Sequence, residues 1–196
     1  TGANLLRWYH DVWAGEERAA GGNAYDRIVA SMPEGPSGLT VLPHFTPTGT
    51  PHFDPAPTSA VLGMTLETTR GQFLKGLMEG VSFEMKLNVA MLDESGVRID
   101  EFVATGGSAR RPELVQIRAD VLDRPITTVA VSEAGCLGVA MLACAAATGA
   151  DLPALGAAWV RPVRVVEPRP QAAARYAEQF GLYRALYPAL REIRCR

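Results

Sequence analysis

The chain has 196 residues, is 47% hydrophobic and carries a formal net charge of −2, so it can bury one sizeable core, either as one domain or as a lobe of something larger. Its 19 basic and 21 acidic side chains are interspersed, which gives no basic footprint for nucleic acid and no polybasic run for anionic lipid; neither is expected as a partner. No apolar stretch reaches the length of a membrane span and the start Thr1-Gly2-Ala3 lacks a signal-peptide charge pattern, so a soluble, cytoplasmic location is the expectation.

In chain order, residues 4–14 read as a short amphipathic helix carrying Leu5, Leu6, Trp8, Tyr9 and Trp13, and residues 24–31 as a second. A Pro/Gly-containing break over 33–38 precedes the apolar run Leu39-Thr40-Val41-Leu42, a strand candidate. Residues 43–57 form a long proline-rich loop without periodicity, and loops of that length inside compact domains are often functional. Residues 59–64 read as the next strand. The longest helix is expected over 69–94, with Leu74, Leu77, Met78, Val81, Met85, Val89 and Leu92 on one core-facing stripe.

Phe102-Val103-Ala104-Thr105-Gly106-Gly107-Ser108 then reads as a buried strand that breaks at a double glycine and restarts as a helix. Pro112 suits the first helical position, Glu113 its positive end, and Leu114, Ile117, Val121 and Leu122 supply an apolar face. Glycine removes the Cβ that would block a ligand, and freed N–H groups with a helix N-terminus attract an anion such as phosphate. The same pair can equally be a plain tight connection. Arg111 sits beside the turn, where its guanidinium either meets phosphate or stays solvated.

Beyond it, 126–131 reads as a strand, and Ser132 as the N-cap of a helix over 133–148 whose small residues Gly135, Gly138, Ala140 and Ala143 fall where close packing is expected. A last strand at Val163-Arg164-Val165-Val166 and a terminal helix over 170–190 complete a strand and helix alternation that argues an α/β fold with helices covering a sheet. Cys136, Cys144 and Cys195 have no metal-ligand spacing and are expected as small buried hydrophobes, reduced and unbridged. His44, His52 and Asp54 share the proline-rich loop, but their spacing matches no standard site; structural or solvated roles are expected and no metal is assigned.

Thr50 to Pro55, Ser59 to Met64 with Leu77 to Gly80, Thr105 to Pro125 and Glu133 to Gly138, four stretches in this order, together resemble the C-terminal domain of the FGGY family of carbohydrate kinases, which has the actin-like ATPase (ribonuclease H-like) fold: a mixed sheet flanked by helices. Thr50-Pro51-His52-Phe53-Asp54-Pro55 resembles the family's T-P-H-W-D-P loop. Ser59 to Met64 followed by Leu77-Met78-Glu79-Gly80 resembles its G-L-T strand and L-x-E-G helix. Thr105-Gly106-Gly107-Ser108-Ala109-Arg110 through Gln116-Ile117-Arg118-Ala119-Asp120 and Pro125 resembles its T-G-G-G-A to Q-I-x-A-D segment. Glu133-Ala134-Gly135-Cys136-Leu137-Gly138 resembles its E-A-A-A-L-G.

The resemblance implies that residues 1–196 form a nucleotide-binding lobe for ATP with Mg²⁺. Gly106 and Gly107 would line the ATP site, with Ser108 in place of a third glycine, Arg111 where relatives have Ser or Asn near the adenosine, and Glu67, in the turn Leu66-Glu67-Thr68-Thr69, on a second loop facing the nucleotide. Pro47-Thr48-Gly49 departs from the G-E-R common in pentulose kinases, and Gly76 and Leu77 depart from the helix signature. In the family the catalytic aspartate, the sugar pocket and the first phosphate loop lie in an N-terminal lobe. Asp11 and Asp26 match none of those motifs, so no catalytic residue is assigned here and the chain alone is expected to be inactive. The implied reaction is phosphoryl transfer to a hydroxyl of a sugar or polyol held through that other lobe, with a leaning toward ketoses; a homodimer is left open. The rival is a noncatalytic actin-like nucleotide-binding or scaffold domain that uses the 43–57 loop as a partner surface.

Overall fold

The protein is described by a computed structural model over residues 2–56 and 58–194. Helices α1 (Gly2–Trp13), α2 (Gly15–Ala19) and α3 (Ala24–Ala30) come first, and α3 starts where the Asn23 side chain accepts the N–H of Tyr25 at 3.1 Å. Strand β1 (Thr40–Leu42) pairs antiparallel with β2 (Ala60–Leu62), Val41 opposite Val61, and residues 43–56 between them hold no helix or strand. The long helix α4 (Arg70–Glu94) opens on a reciprocal cap: Thr69 Oγ accepts from Gln72 N–H at 3.2 Å while Gln72 Oε1 accepts from Thr69 N–H at 2.9 Å.

The second half is built around β3 (Phe102–Ala104), a 3₁₀ turn over Gly107–Arg110, α5 (Pro112–Leu122) and β4 (Ile126–Val129). These are followed by α6 (Ala134–Thr148), α7 (Leu152–Trp159), β5 (Pro162–Val166) and α8 (Pro170–Arg194). β3 runs parallel to β4, and β5 returns antiparallel, so the sheet in the order β3-β4-β5 is mixed. The parallel step needs a crossover, which α5 provides. The expected alternation is present, although β1 and β2 form a separate two-stranded sheet.

The larger core lies where α4 meets β1 and α8: Leu74, Leu77, Phe83, Val41, Leu42, Tyr176 and Tyr183 are all buried. Helix and strand come unusually close because glycines face the strand. A Cβ added at Gly80 would sit 2.4 Å from the Val41 carbonyl oxygen, and one at Gly71 would sit 2.0 Å from that of Ser31. Two buried carboxylates tie the pieces together. Glu79, fully buried, accepts from Ser37 N–H at 2.9 Å, from the Ser37 hydroxyl and from Tyr176 O–H at 2.7 Å. Burial pushes its carboxyl above the usual range against the pull of these donors. Asp120, also fully buried, accepts from Arg169 through its backbone N–H at 2.7 Å, Nε at 3.0 Å and Nη2 at 2.6 Å, which anchors the start of α8 to α5.

Three expectations need correction. Ser132 is not an N-cap; Glu133 holds that position, and no side chain caps α6. Nor does α6 pack closely: none of its residues is buried, Val139 and Leu142 are 67% and 57% exposed, and nothing lies within 4 Å of a Cβ added at Gly135 or Gly138. Among the described residues its packing partner is α7, with no sheet face beneath it. Cys136 is accordingly exposed and Cys144 half-buried rather than both being core residues; both are free, and Cys195 lies outside the described residues. Helices α2 and α7 were not anticipated. The first is a five-residue charged turn with no apolar period, and the second begins at an Asp151 cap with Pro153 in its first turn, where proline reads equally as a break. No helix among the described residues is long and apolar enough to cross a membrane.

The α4 contact makes a signed prediction. Gly80→Ala forces Cβ against the Val41 carbonyl and is expected to lower unfolding free energy by about 1–3 kcal/mol, the range for overpacking. Gly181→Ala in α8, where the Cβ meets nothing within 4 Å, is expected to raise it by up to about 1 kcal/mol through helix propensity. Urea unfolding of the two variants checks the opposite signs.

Candidate functional site

The carboxyl ends of the parallel strands β3 and β4 open onto the same edge, the position where crossover folds collect ligands. The chain leaving β3 turns at Gly106, whose φ of +84° and ψ of 179° are open to glycine and strained for any side chain. It enters the 3₁₀ turn at Gly107, whose φ is not in the left-handed region. A Cβ at either glycine would meet nothing within 4 Å, so this face of the backbone is open to a ligand. The turn is joined to the end of β4 through Ser132: Gly106 N–H donates to its carbonyl oxygen at 3.0 Å, and Arg110 Nη2 donates to its hydroxyl. The Gly106 N–H is therefore already engaged. Gly107 and Ser108 open the 3₁₀ turn, and first-turn N–H groups have no partner within their own helix.

A cavity of about 360 Å³ lies against this turn, lined by Thr105, Gly106, Arg110, Ser132 and Arg164 together with apolar residues of the three strands and α5. Its lining includes two arginines and no carboxylate. Behind the turn, Arg118 Nη2 donates to Ser108 Oγ at 3.0 Å, and burial alone pulls this guanidinium below its ordinary range. The lining carries positive charge and faces backbone that a ligand can touch, while just outside it Glu133 Oε1 accepts from the Ser132 hydroxyl at 3.4 Å. That is a setting for an anionic, phosphate-like group.

The structure divides the sequence-assigned residues. Gly106, Gly107 and Ser108 form the turn itself, and of the three Gly106 lines the cavity while Gly107 and Ser108 do not. Arg111 faces elsewhere: its Nη2 donates to Asp26 at 3.2 Å and its guanidinium lies 5.5 Å over the Tyr25 ring, on α3, while its buried Nε has no hydrogen-bond partner. Glu67 is exposed in the β2–α4 turn, its backbone N–H donating to Thr65 Oγ1 at 3.3 Å, and it is not among the residues lining the cavity. Arg110, Ser132, Arg118 and Arg164 were missed. Arg110 stands inside the Thr105–Arg110 motif, where nothing local sets it apart from Arg111, and Arg164 is one position of a strand with no local signal.

The second residue group assigned in the sequence, the loop histidines, is also structured. His44 is buried with Nε2 2.9 Å from Glu84 Oε1, and Asp54 accepts from Tyr187 O–H at 2.8 Å and pairs with Arg194. The Arg194 contact first, then the Ala56 N–H and the Tyr187 hydroxyl, hold the Asp54 carboxyl down at about 2. Asp54 thus fastens the loop to α8.

A family profile, "FGGY family of carbohydrate kinases, C-terminal domain", matches residues 2–147. The chain is 25% identical over 202 residues to xylulose kinase of Bacillus subtilis, covering 96% of this chain and 37% of that protein. It is 32% identical over 164 residues to glycerol kinase of Thermus brockianus, covering 82% of this chain and 32% of that protein. The crystal structure of xylulose kinase from Rhodospirillum rubrum superposes on all of this chain with a TM-score of 0.77 at 29% identity, over 38% of its own length. The chain thus spans about a third of the length of these three relatives. It belongs to the FGGY family of carbohydrate kinases, carries the C-terminal domain, and has the actin-like ATPase fold.

The two glycines make different demands, which unfolding measurements can separate. Gly106→Ala is expected to cost about 1–3 kcal/mol because alanine must hold a φ of +84°. Gly107→Ala, with ordinary φ and an open Cβ position, is expected to leave the unfolding midpoint within about 0.5 kcal/mol of the parent.

Proposed function

We propose that this FGGY-family domain is the nucleotide-binding lobe of an ATP-dependent carbohydrate kinase, which transfers the γ-phosphoryl group of ATP to a hydroxyl of a sugar or polyol. The observation that carries the reading is the carboxylate-free cavity at the ends of the parallel strands, where an open glycine turn meets Arg110 and Arg164. Family membership supplies the reaction class. Phosphoryl transfer asks little covalent chemistry of the protein; the rate comes from holding donor and acceptor in line and compensating charge on the transferring group. In this lobe the Gly106-Gly107 backbone admits the polyphosphate, Arg110 and Arg164 meet its charge, and Arg118 fixes the turn through Ser108.

ATP fits the residues present; Mg²⁺ does not find ligands among them. The cavity offers hydroxyl oxygens from Thr105, Thr128 and Ser132 but no carboxylate, and Mg²⁺ in such sites is held by carboxylates and phosphates. The proton-accepting base and the sugar pocket are assigned to the remaining length that relatives carry, so the 196-residue chain alone is proposed to bind nucleotide without turning over sugar. The coverage of the xylulose kinase relative and the Thr50–Pro55 loop favour a ketose as acceptor. The thiols and the nucleotide donor suit the cytoplasm.

The test is a calorimetric titration of the chain with ATP. Gly107→Val adds a side chain to the open face of the turn beside the cavity, at a position without positive φ, and is expected to weaken binding at least about 10-fold, or about 1.4 kcal/mol, with little change in unfolding midpoint. Arg110→Ala is expected to weaken it similarly and Arg111→Ala to do less, because Arg111 is engaged with Asp26 and Tyr25. An unchanged ATP dissociation constant in Gly107→Val would make the turn a structural connection and sink the assignment.

A further inference from the structure

A separate cluster shares no residue with the nucleotide cavity. One ring nitrogen of His44, one of His52 and a carboxylate oxygen of Glu84 lie within 4.8 Å of one another. The fold brings them together for a reason visible in the helix. Glu84 lies one turn beyond Gly80, on the same face of α4, and Gly80 is the residue that comes against Val41 and Pro43. The face that touches the end of β1 therefore presents Glu84 to the next residue of the chain, His44. His52 is returned to the same place by a tight turn in which His52 and Phe53 donate their N–H groups to the Gly49 carbonyl at 3.0 and 2.9 Å.

We propose that His44, His52 and Glu84 form a binding site for a divalent transition ion of the zinc class, which clips the proline-rich loop to α4. Two imidazole nitrogens and one carboxylate oxygen form a donor set that suits zinc, whereas calcium and magnesium take oxygen ligands. With bonds of about 2.1 Å, tetrahedral neighbours lie about 3.4 Å apart, so a pair at the 4.8 Å limit has to close by about 1.4 Å. His44 Nε2 and Glu84 Oε1 are already 2.9 Å apart. The side chains are also held from behind, as metal ligands are. Tyr183 O–H donates to Glu84, and the Tyr187 ring stacks on His52 with centroids 3.6 Å apart while its hydroxyl is fixed by Asp54. His44 is buried and turns Nε2 to Glu84, while its Nδ1 has no hydrogen-bond partner. Three protein ligands leave a fourth position for water. Spacing along the sequence concealed the site, because Glu84 comes from a helix 40 residues after His44 and the loop residue first grouped with the histidines, Asp54, is engaged by α8.

The test uses Zn²⁺ and Co²⁺ alone as probes on the chelator-treated chain. Calorimetry is expected to give one Zn²⁺ per chain, a thermal midpoint that rises with Zn²⁺, and a visible Co²⁺ spectrum without thiolate bands. His52→Ala, at a half-buried loop position, is expected to abolish all three signals while keeping the metal-free midpoint; should it fail to fold, His52→Gln decides. Tyr183→Phe is expected to weaken binding about 10–100-fold, as loss of a supporting donor does. Replacing Cys136, Cys144 and Cys195 with serine is expected to leave binding unchanged. No stoichiometric binding by the parent chain, binding that survives loss of His52, or binding that disappears with the cysteines would each overturn the site.

Discussion

The backbone contact between α4 and β1 is the constraint on which most of this domain depends. Gly80 lets helix backbone reach strand backbone, and the adjacent Glu79 then lies at full burial between Ser37 and Tyr176. An unpaired carboxyl at that depth would be strongly destabilising, so the Glu79 donors are as necessary as the glycine. One dipeptide, Glu79-Gly80, thereby fixes the distance from α4 to β1, the path of the segment before β1, and the seat of α8. The Asp120 and Arg169 contact repeats the logic on α5, where a buried carboxylate accepts from both backbone and guanidinium at the start of α8. Helix α8 has little choice of position once both carboxylates are satisfied.

This explains what could be read from the sequence and what could not. Strong periodicity marked α4, and Leu74, Leu77 and Met78 are buried as its stripe requires, while Leu92 near its end is 40% exposed because the packing partners stop earlier. Pro112 and the apolar face behind it marked α5, and Leu114, Ile117, Val121 and Leu122 are all buried. Composition misled at α6. Its run of small and apolar residues has the character of an interior helix, yet burial depends on what lies opposite, and no sheet face among the described residues does. The same reason corrects β3, which reads as a buried strand yet has no buried residue and leaves Val103 57% exposed, and leaves Val163 and Val165 of β5 exposed beside it.

The candidate site was legible in backbone and illegible in side chains. A double glycine after a strand announces a turn whatever surrounds it, because only conformation and the lack of a Cβ are needed. Which guanidinium faces that turn depends on a single residue of phase: Arg110 lies in the 3₁₀ turn and reaches Ser132, whereas Arg111 opens α5 and is drawn to the ring and carboxylate of α3. Nothing local distinguishes two adjacent arginines. Positive φ is likewise a property of one glycine of the pair, Gly106, and two adjacent glycines do not reveal which.

The distribution of arginine partners gives the site its electrostatic character despite the nearly neutral chain. Several guanidinium groups elsewhere meet carboxylates: Arg70 with Glu16 and Glu17, Arg169 with Asp120, Arg194 with Asp54 and Arg111 with Asp26, while Arg27 and Arg124 meet backbone carbonyls. At the turn the contacts are of another kind, since Arg110 and Arg118 donate to the hydroxyls of Ser132 and Ser108. A hydroxyl orients a guanidinium without neutralising it. Ion pairs neutralise those side chains, whereas the partners of Arg110 and Arg118 at the carboxyl ends of β3 and β4 are uncharged, with the Glu133 carboxylate accepting from the Ser132 hydroxyl. A net charge of −2 therefore coexists with a locally positive cavity, and the serines matter there because they are not acids.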